Sequence, residues 1–326
     1  MSATATTLTI SAGTRAMDYL RRYGIVVVFL ALLIVLTATL PQFRTPANLR
    51  NVLQQNAVIG IIACAMTFAI ISGGFDLSVG AGAALASVVG ARLMIDAGIP
   101  LGILGALIAG LALGLLNGFL IAYAGVNPFV ATLGTATVVR GLIYVSTNAT
   151  PFFGVPMNFT VVGLGRTGPL PNATWIFLAV AISLAFVLHQ TRFGHYVYAI
   201  GGNIVAAAEM GIDVRRVKLA VYALVGASAA VSGIILTGQT ASGQPQAALN
   251  YELAAITAVI VGGASLGGGR GSMAGTILGV FLLGLVSNAL NLYGVSAFWQ
   301  PVATGTILVL AVGVDSYSRR SVFAWR

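Results

Sequence analysis

The chain has 326 residues, of which 58% are hydrophobic, only 7% are charged and 41 are glycine, and its mean hydropathy is +0.98. That composition excludes a soluble globular domain and fits membrane helices, in which small residues let backbones approach closely. The net charge of +9 comes from residues scattered at the ends of apolar runs, with no dense basic block, which argues for cytoplasmic loops and against a nucleic-acid partner.

A short cytoplasmic segment, residues 1–22, precedes the first apolar run. Arg21 and Arg22 followed by residues 23–40 imitate a signal peptide, but the apolar core is too long and lacks a small-x-small cleavage site, so it is read as a span. A bilayer core of about 30 Å needs roughly 20 apolar residues per helix. On that measure ten spans fall near 23–40, 52–72, 77–96, 99–123, 127–146, 174–190, 217–237, 252–268, 273–292 and 297–315, followed by a cytoplasmic tail at 316–326. The expected architecture is all-α and polytopic, one transmembrane domain over 23–315. Cys64 lies inside the second span and reads as a small buried hydrophobe.

Charge tests the count. With the N-terminus inside, Arg15, Arg21, Arg22, Arg192, Arg215, Arg216, Lys218, Arg270, Arg319, Arg320 and Arg326 are cytoplasmic, eleven of the 16 basic residues. Arg44, Arg50, Arg92 and Arg166 fall outside, and Arg140 lies within a span. Eleven against four supports ten spans with both ends inside.

The chain also repeats. GLLNGFLIAYAGVNPF at 114–129 is similar to GLVSNALNLYGVSAF at 284–298 with one deletion, and FDLS at 75–78 pairs with YELA at 251–254. Four spans, roughly 52–146, recur at roughly 217–315 with an odd number of spans from one copy to the next, which predicts an inverted repeat of the kind that builds central pathways in transporters.

Two loops stand out. The outer one, 147–173, holds four prolines and four glycines and cannot be one helix. The other, 189–218, gathers Arg192, Arg215, Arg216, Lys218, Glu209, Asp213 and both histidines on the cytoplasmic side, a concentration of polar residues that suits docking. Within the spans, Gln54, Gln55, Asn56, Thr67, Asn117, Asn127, Thr132, Asn288 and Asn291 suit a hydroxyl-rich neutral solute and equally suit interhelical hydrogen bonds. Asp76 and Glu252 are acids at or near membrane depth, readable as helix-end caps or as pathway residues.

The only lysine is Lys218, so no Walker A site exists in the chain. The histidines form no metal cluster, and the glycine-rich GGASLGGGRG at 262–271 lacks the strand–turn–helix context of a dinucleotide site. No nucleophile–base grouping points to an enzyme, and no cofactor or metal is called for.

Over residues 20–315 the chain resembles the permease subunits of bacterial ABC sugar importers of the ribose/xylose/arabinose/galactose type. The likeness rests on GGFDLSVG (73–80), NPFVATLGT (127–135), TRFGHYVYAIGGN (191–203), GIDV (211–214), YELAAITAVIVGGASLGGGRG (251–271) and LNLYGVS (290–296). It implies a multi-pass inner-membrane protein that dimerises with a second permease (as a homodimer or heterodimer), is driven by a cytoplasmic ABC ATPase subunit and receives a monosaccharide from a periplasmic sugar-binding protein. It also makes 191–216 the loop that couples to the ATPase, through a helix at about 203–211 and residues Gly201, Gly202, Asn203, Ala206, Ala207, Glu209 and Gly211. The chain departs from the family at Ile204 and Val205, where a Glu is usual, at Ala208 in place of an Arg, and at Ala254 in place of an Asp. Alternatives are an ABC permease for a polyol, nucleoside or furanosyl signalling molecule, or an ion-coupled secondary transporter.

Overall fold

The computed structural model describes the backbone of residues 12–323 and the side chains of residues 24–313, so the outermost parts of the two expected terminal segments, 1–11 and 324–326, lie outside the described residues. Each expected span is a helix: α1 (Ala12–Thr39), α2 (Pro46–Ile71), α3 (Val79–Ala97), α4 (Ile99–Ala122), α5 (Pro128–Thr147), then after a five-residue α6 (Thr160–Leu164), α7 (Asn172–Gln190). The 191–216 loop contains α8 (Arg192–Gly202) and α9 (Ile204–Glu209), and the remaining spans are α10 (Val214–Thr240), α11 (Tyr251–Val261), α12 (Met273–Leu292) and α13 (Trp299–Phe323). Seven of these, α2, α3, α4, α5, α7, α10 and α12, are long and apolar enough to cross a membrane.

Several boundaries differ from the sequence reading: α2 starts earlier, at Pro46, and α13 runs on to Phe323 through most of the tail expected at 316–326. Helix α1 begins at Ala12, well inside the segment expected to precede the first span. The eighth span, expected at 252–268, is only the 11-residue α11, about 16 Å at 1.5 Å per residue and too short to cross alone. It stops because Gly262 and Gly263 follow, Gly263 at φ +92, and the chain then turns through residues 264–272 before α12.

The repeat is present in the packing. Helix α10 packs on α3 and α4, and α2 packs on their counterparts α11 and α12; α5 lies on α3 as α13 lies on α11. The two turns that the sequence matched share local geometry: Gly125 and Gly294 have φ +71 and +70. The Val126 amide donates to the Leu120 carbonyl, as Val295 does to Leu290. Asn127 Oδ1 accepts from Phe129 N, as Ser296 Oγ accepts from Phe298 N. Helices α2 and α10 run antiparallel, with Ser232 Oγ donating to the Val58 carbonyl and the Tyr222 hydroxyl reaching the Phe75 carbonyl beyond the far end of α2.

Close approach is made by glycine. Along α4, Gly110, Gly114 and Gly118 face Gly226, Tyr222 and Leu219 of α10, and a Cβ at any of the three would press on the α10 backbone. The most buried helix is α2, with Cys64 fully enclosed, whereas α5 and α13 present large apolar side chains such as Val138, Leu142, Val145, Val309 and Leu310 outward, as a lipid or protein neighbour requires.

The outer loop 147–173 is folded onto the bundle. Its strand β1 (Phe152–Phe153) pairs antiparallel with β4 (Ser242–Gly243), and β2 (Arg166–Thr167) pairs with β3 (Leu170–Pro171). With Cys64 replaced, single cysteines at the exposed Asn158 and Asn203 are expected to react with an impermeant maleimide from opposite sides of the membrane. Labelling of both from one side would overturn the topology.

Candidate functional site

The polar residues divide into structural ties, a closed cluster and two cavities. Gln54 donates to the Gly163 carbonyl at 3.0 Å, tying α2 to the outer loop. Asn288 and Asn48 exchange reciprocal hydrogen bonds of 2.8 and 3.0 Å. Asn127 caps the N-terminus of α5, Asn291 accepts from Gln300 at the exposed α12–α13 turn, and Thr132 bonds back to the Pro128 carbonyl. These five of the residues singled out for a pathway are brought to neither cavity.

Asp76, Ser78, Asn117 and Thr135 form the closed cluster. Asp76 Oδ1 accepts from the Ser78 amide at 2.7 Å and the Ser78 hydroxyl at 2.6 Å. Asn117 donates to Ser78 Oγ at 2.7 Å and to Asp76 Oδ2 at 3.4 Å, and accepts from Thr135 at 2.7 Å. Ser78, the residue before α3, makes no side-chain cap bond, so Asp76 acts as a local turn-former and a bridge to α4.

Gln55 and Asn56 line a cavity of about 470 Å³ between α2, α11, α12 and α13, together with Tyr251, Thr257, Ser287 and Thr304. Gln239, near the C-terminal end of α10, and Ala297 and Gln300, at the start of α13, also line it. Among the described residues the lining is largely apolar, set with amides and hydroxyls and without a charged side chain, which suits a neutral solute with both hydroxyls and an apolar face.

Glu252 lies elsewhere. The connection 241–250 descends along α3, with Gly243 against Ala91 and Ser87 and the Ala248 carbonyl against Gly80, so the chain delivers Glu252 to the first turn of α3. There it lines a second cavity, of about 420 Å³, with Arg140 and Thr137 of α5. Arg140 holds the connection by donating to the carbonyls of Pro245 and Ala247, each at 3.0 Å. Leu249 lines both cavities, so this connection is the wall between them.

Within the 191–216 loop α9 forms as its residues dictate. Asn203 Oδ1 accepts from Val205 N and Ala206 N, and the chain leaves the helix through Gly211 at φ +82. Ala207 departs from expectation: it is 0% exposed and packs into the protein's own core, so it is unavailable to a partner. The exposed side of α9 is Ile204, Val205, Ala208, Glu209 and Met210, with Val205 63% and Met210 71% exposed. Ala206 is half-buried. Gly201 ends α8 against the Ile71 carbonyl and Gly269, while nothing lies within 4 Å of where a Cβ on Gly202 would stand. The Gly269 amide donates to the same Ile71 carbonyl at 2.8 Å, and the Tyr198 hydroxyl donates to the Gly271 carbonyl at 2.8 Å. Burial pushes the Tyr198 phenol above its usual range.

Comparison with known proteins decides the family. Residues 48–312 match the family described as branched-chain amino acid transport system / permease component. The chain belongs to that family. The permease is 41% identical over 293 residues to the ribose import permease protein RbsC of Escherichia coli (strain K12), covering 88% of this chain and 91% of that protein. It is 43% identical over 289 residues to RbsC of Bacillus subtilis (strain 168), covering 87% and 89%. It is 36% identical over 301 residues to the L-arabinose transport system permease protein AraH of Escherichia coli (strain K12), covering 92% of each. No solved structure matches it. The permease is thus a multi-pass helical protein of the inner membrane.

Sequence reasoning noted Arg140 without giving it a role and passed over Gln239, Ser287, Gln300 and Thr304. The repeat alignment places Ser287 opposite Asn117 and was the one available signal for it.

Proposed function

We propose that the chain is the membrane-spanning subunit of an ATP-driven importer for a monosaccharide, ribose-like or another pentose or hexose, with hydrolysis performed by a separate cytoplasmic ATPase subunit. A periplasmic binding protein delivers the sugar, and a second permease subunit completes the pathway. The names of the RbsC and AraH relatives support the substrate class. The outer cavity supports it independently: its largely apolar wall carries the amides of Gln55, Asn56 and Gln239 and no charged side chain among the described residues, and hydroxyls of a neutral sugar can satisfy such amides without neutralising a charge.

The observation that carries the coupling claim is the construction of α9. A six-residue helix held by an N-cap and a left-handed glycine presents Ile204, Val205 and Met210 to the cytoplasm, and exposed apolar side chains on a rigid, water-facing element mark a docking surface. Just upstream, Gly201 seats the end of α8 on Ile71 and Gly269, so displacement of this segment bears on the inner ends of α2 and of the α11–α12 loop. Glu209 supplies one charge for a basic residue opposite.

Val205→Glu combined with Met210→Glu places two charges on that surface without touching the core. The variant is expected to insert at normal levels, to lose co-purification of the ATPase subunit, and to lose ATP-dependent uptake of D-ribose or L-arabinose. Wild-type co-purification with normal uptake would show that α9 is not the docking element.

A further inference from the structure

The repeat relates the open outer cavity to the closed Asp76 cluster, position by position. Matching FDLS with YELA sets Phe75 against Tyr251 and Ser78 against Ala254; matching the α4–α5 and α12–α13 segments sets Asn117 against Ser287 and Thr135 against Thr304. In the second copy, Tyr251, Ala254, Ser287 and Thr304 all line the cavity of about 470 Å³. In the first copy, Ser78 and Asn117 are buried and, with Thr135, bonded to one another.

What closes the first copy is also visible. The repeat-equivalent glycines Gly114 and Gly284 each face the helix that packs on their own: Gly284 meets Asn56 of α2, and Gly114 meets Tyr222 of α10. On the outer side the occupant is an amide that borders the cavity. On the inner side it is the Tyr222 backbone carbonyl, so α10 lies directly on α4, while the buried Tyr222 side chain turns to the entry of α3, its hydroxyl 3.3 Å from the Phe75 carbonyl.

We propose that the Ser78–Asn117–Thr135 cluster is the shut, inner counterpart of the outer cavity, a second binding position for neutral polyhydroxylated solutes that is unmasked when α10 carries Tyr222 away from α3 and α4. This rests on the importer reading above. The chemistry of the two states matches. In the shut state Asn117 gives its amide protons to Ser78 and Asp76 and accepts from Thr135, so every polar group is satisfied within the protein. Solute hydroxyls both donate and accept, so they can take the place of these partners one for one when the helices part. The repeat makes the two positions counterparts along one route, the outer one bordering a cavity and the inner one hydrogen-bonded shut, and they adjoin where Glu252, two residues from Ala254, meets Gly80, two residues from Ser78.

The test uses the whole permease assembly in proteoliposomes, with Cys64 replaced and a single cysteine at Ala254 or at Ser78. A small water-soluble methanethiosulfonate reports access, with D-ribose as the solute. Ala254→Cys is expected to react at rest from the side of the binding protein. Ser78→Cys is expected to resist at rest and to react from the ATPase side after vanadate trapping, about tenfold faster or more, as a minor state made dominant requires. D-ribose is expected to slow that reaction. Thr135→Cys is a second reporter should Ser78→Cys assemble poorly. Unchanged protection of both inner cysteines in every state, with Ala254→Cys responding normally, would overturn the proposal. Failure of the importer reading looks different: the wild-type assembly would accumulate neither D-ribose nor L-arabinose with ATP, before any thiol is introduced.

Discussion

Gly201→Ala is expected to lower the thermal stability of the purified permease and to abolish most uptake, while Gly202→Ala, one residue on, leaves stability unchanged or raises it. The two glycines end the same helix and differ only in their surroundings. A Cβ on Gly201 overlaps the Ile71 carbonyl oxygen and crowds the Gly269 amide, both of them backbone atoms that cannot rotate aside. Helix α8 must then move off α2, and the 2.8 Å bond between Gly269 N and Ile71 O is strained or lost. Overpacking of this kind typically costs about 1–3 kcal/mol. Nothing lies within 4 Å of the corresponding position on Gly202, whose φ is not positive, so alanine there removes only chain entropy from the unfolded state, worth about 0.4–1 kcal/mol in favour of folding. Thermal unfolding in detergent reads the difference in sign. Equal destabilisation by both substitutions would mean that Gly201 is not a packing point between the cytoplasmic segment and the bundle.

The contrast between these two residues also marks how far the sequence can be read. Gly201 and Gly202 are chemically identical, and only the fold distinguishes the one that touches Ile71. What could be read was local or periodic: ten long apolar runs, Asn203 as a cap, Gly211 as a stop, and a repeat whose two turns carry glycines at the same φ. What could not be read was orientation. In a chain this apolar, the inward and outward faces of a helix differ little in composition, so no amphipathic contrast showed that Ala207 turns into the core or that Val205 and Met210 turn out. Amide partners were hidden for a different reason: Asn48 and Asn288 are 240 positions apart, and Gln54 bonds a backbone carbonyl that has no sequence signature. The inward course of residues 241–250 depends on Arg140 and on non-glycine residues with positive φ, Ala248 and Asn250, which turn propensities alone do not predict.

Asp76 gives the sharpest separation between a role in shape and a role in charge. Asp76→Asn is expected to retain substantial transport, and Asp76→Leu to lose both transport and most of the protein in the membrane. The asparagine keeps an acceptor where Oδ1 stands, so the bonds from the Ser78 amide and hydroxyl, at 2.7 and 2.6 Å, survive. It places a donor where Oδ2 accepted from Asn117, but that contact is long at 3.4 Å, and the same Asn117 amide already donates to Ser78 Oγ at 2.7 Å. One weak bond is lost, at about 0.5–1.5 kcal/mol. Leucine removes both acceptors together. The Ser78 amide and hydroxyl and one Asn117 proton then face an apolar side chain in a site with no room for water, Asp76 being 1% exposed. Each buried donor left unsatisfied costs about 1–3 kcal/mol, and several at once approach the roughly 5–15 kcal/mol that holds a domain folded. Membrane levels of the two variants, followed by uptake normalised to those levels, measure the separation. Complete loss of uptake in Asp76→Asn at wild-type membrane levels would mean that the carboxylate charge itself takes part in moving the solute, and the turn-forming account of this residue would have to be abandoned.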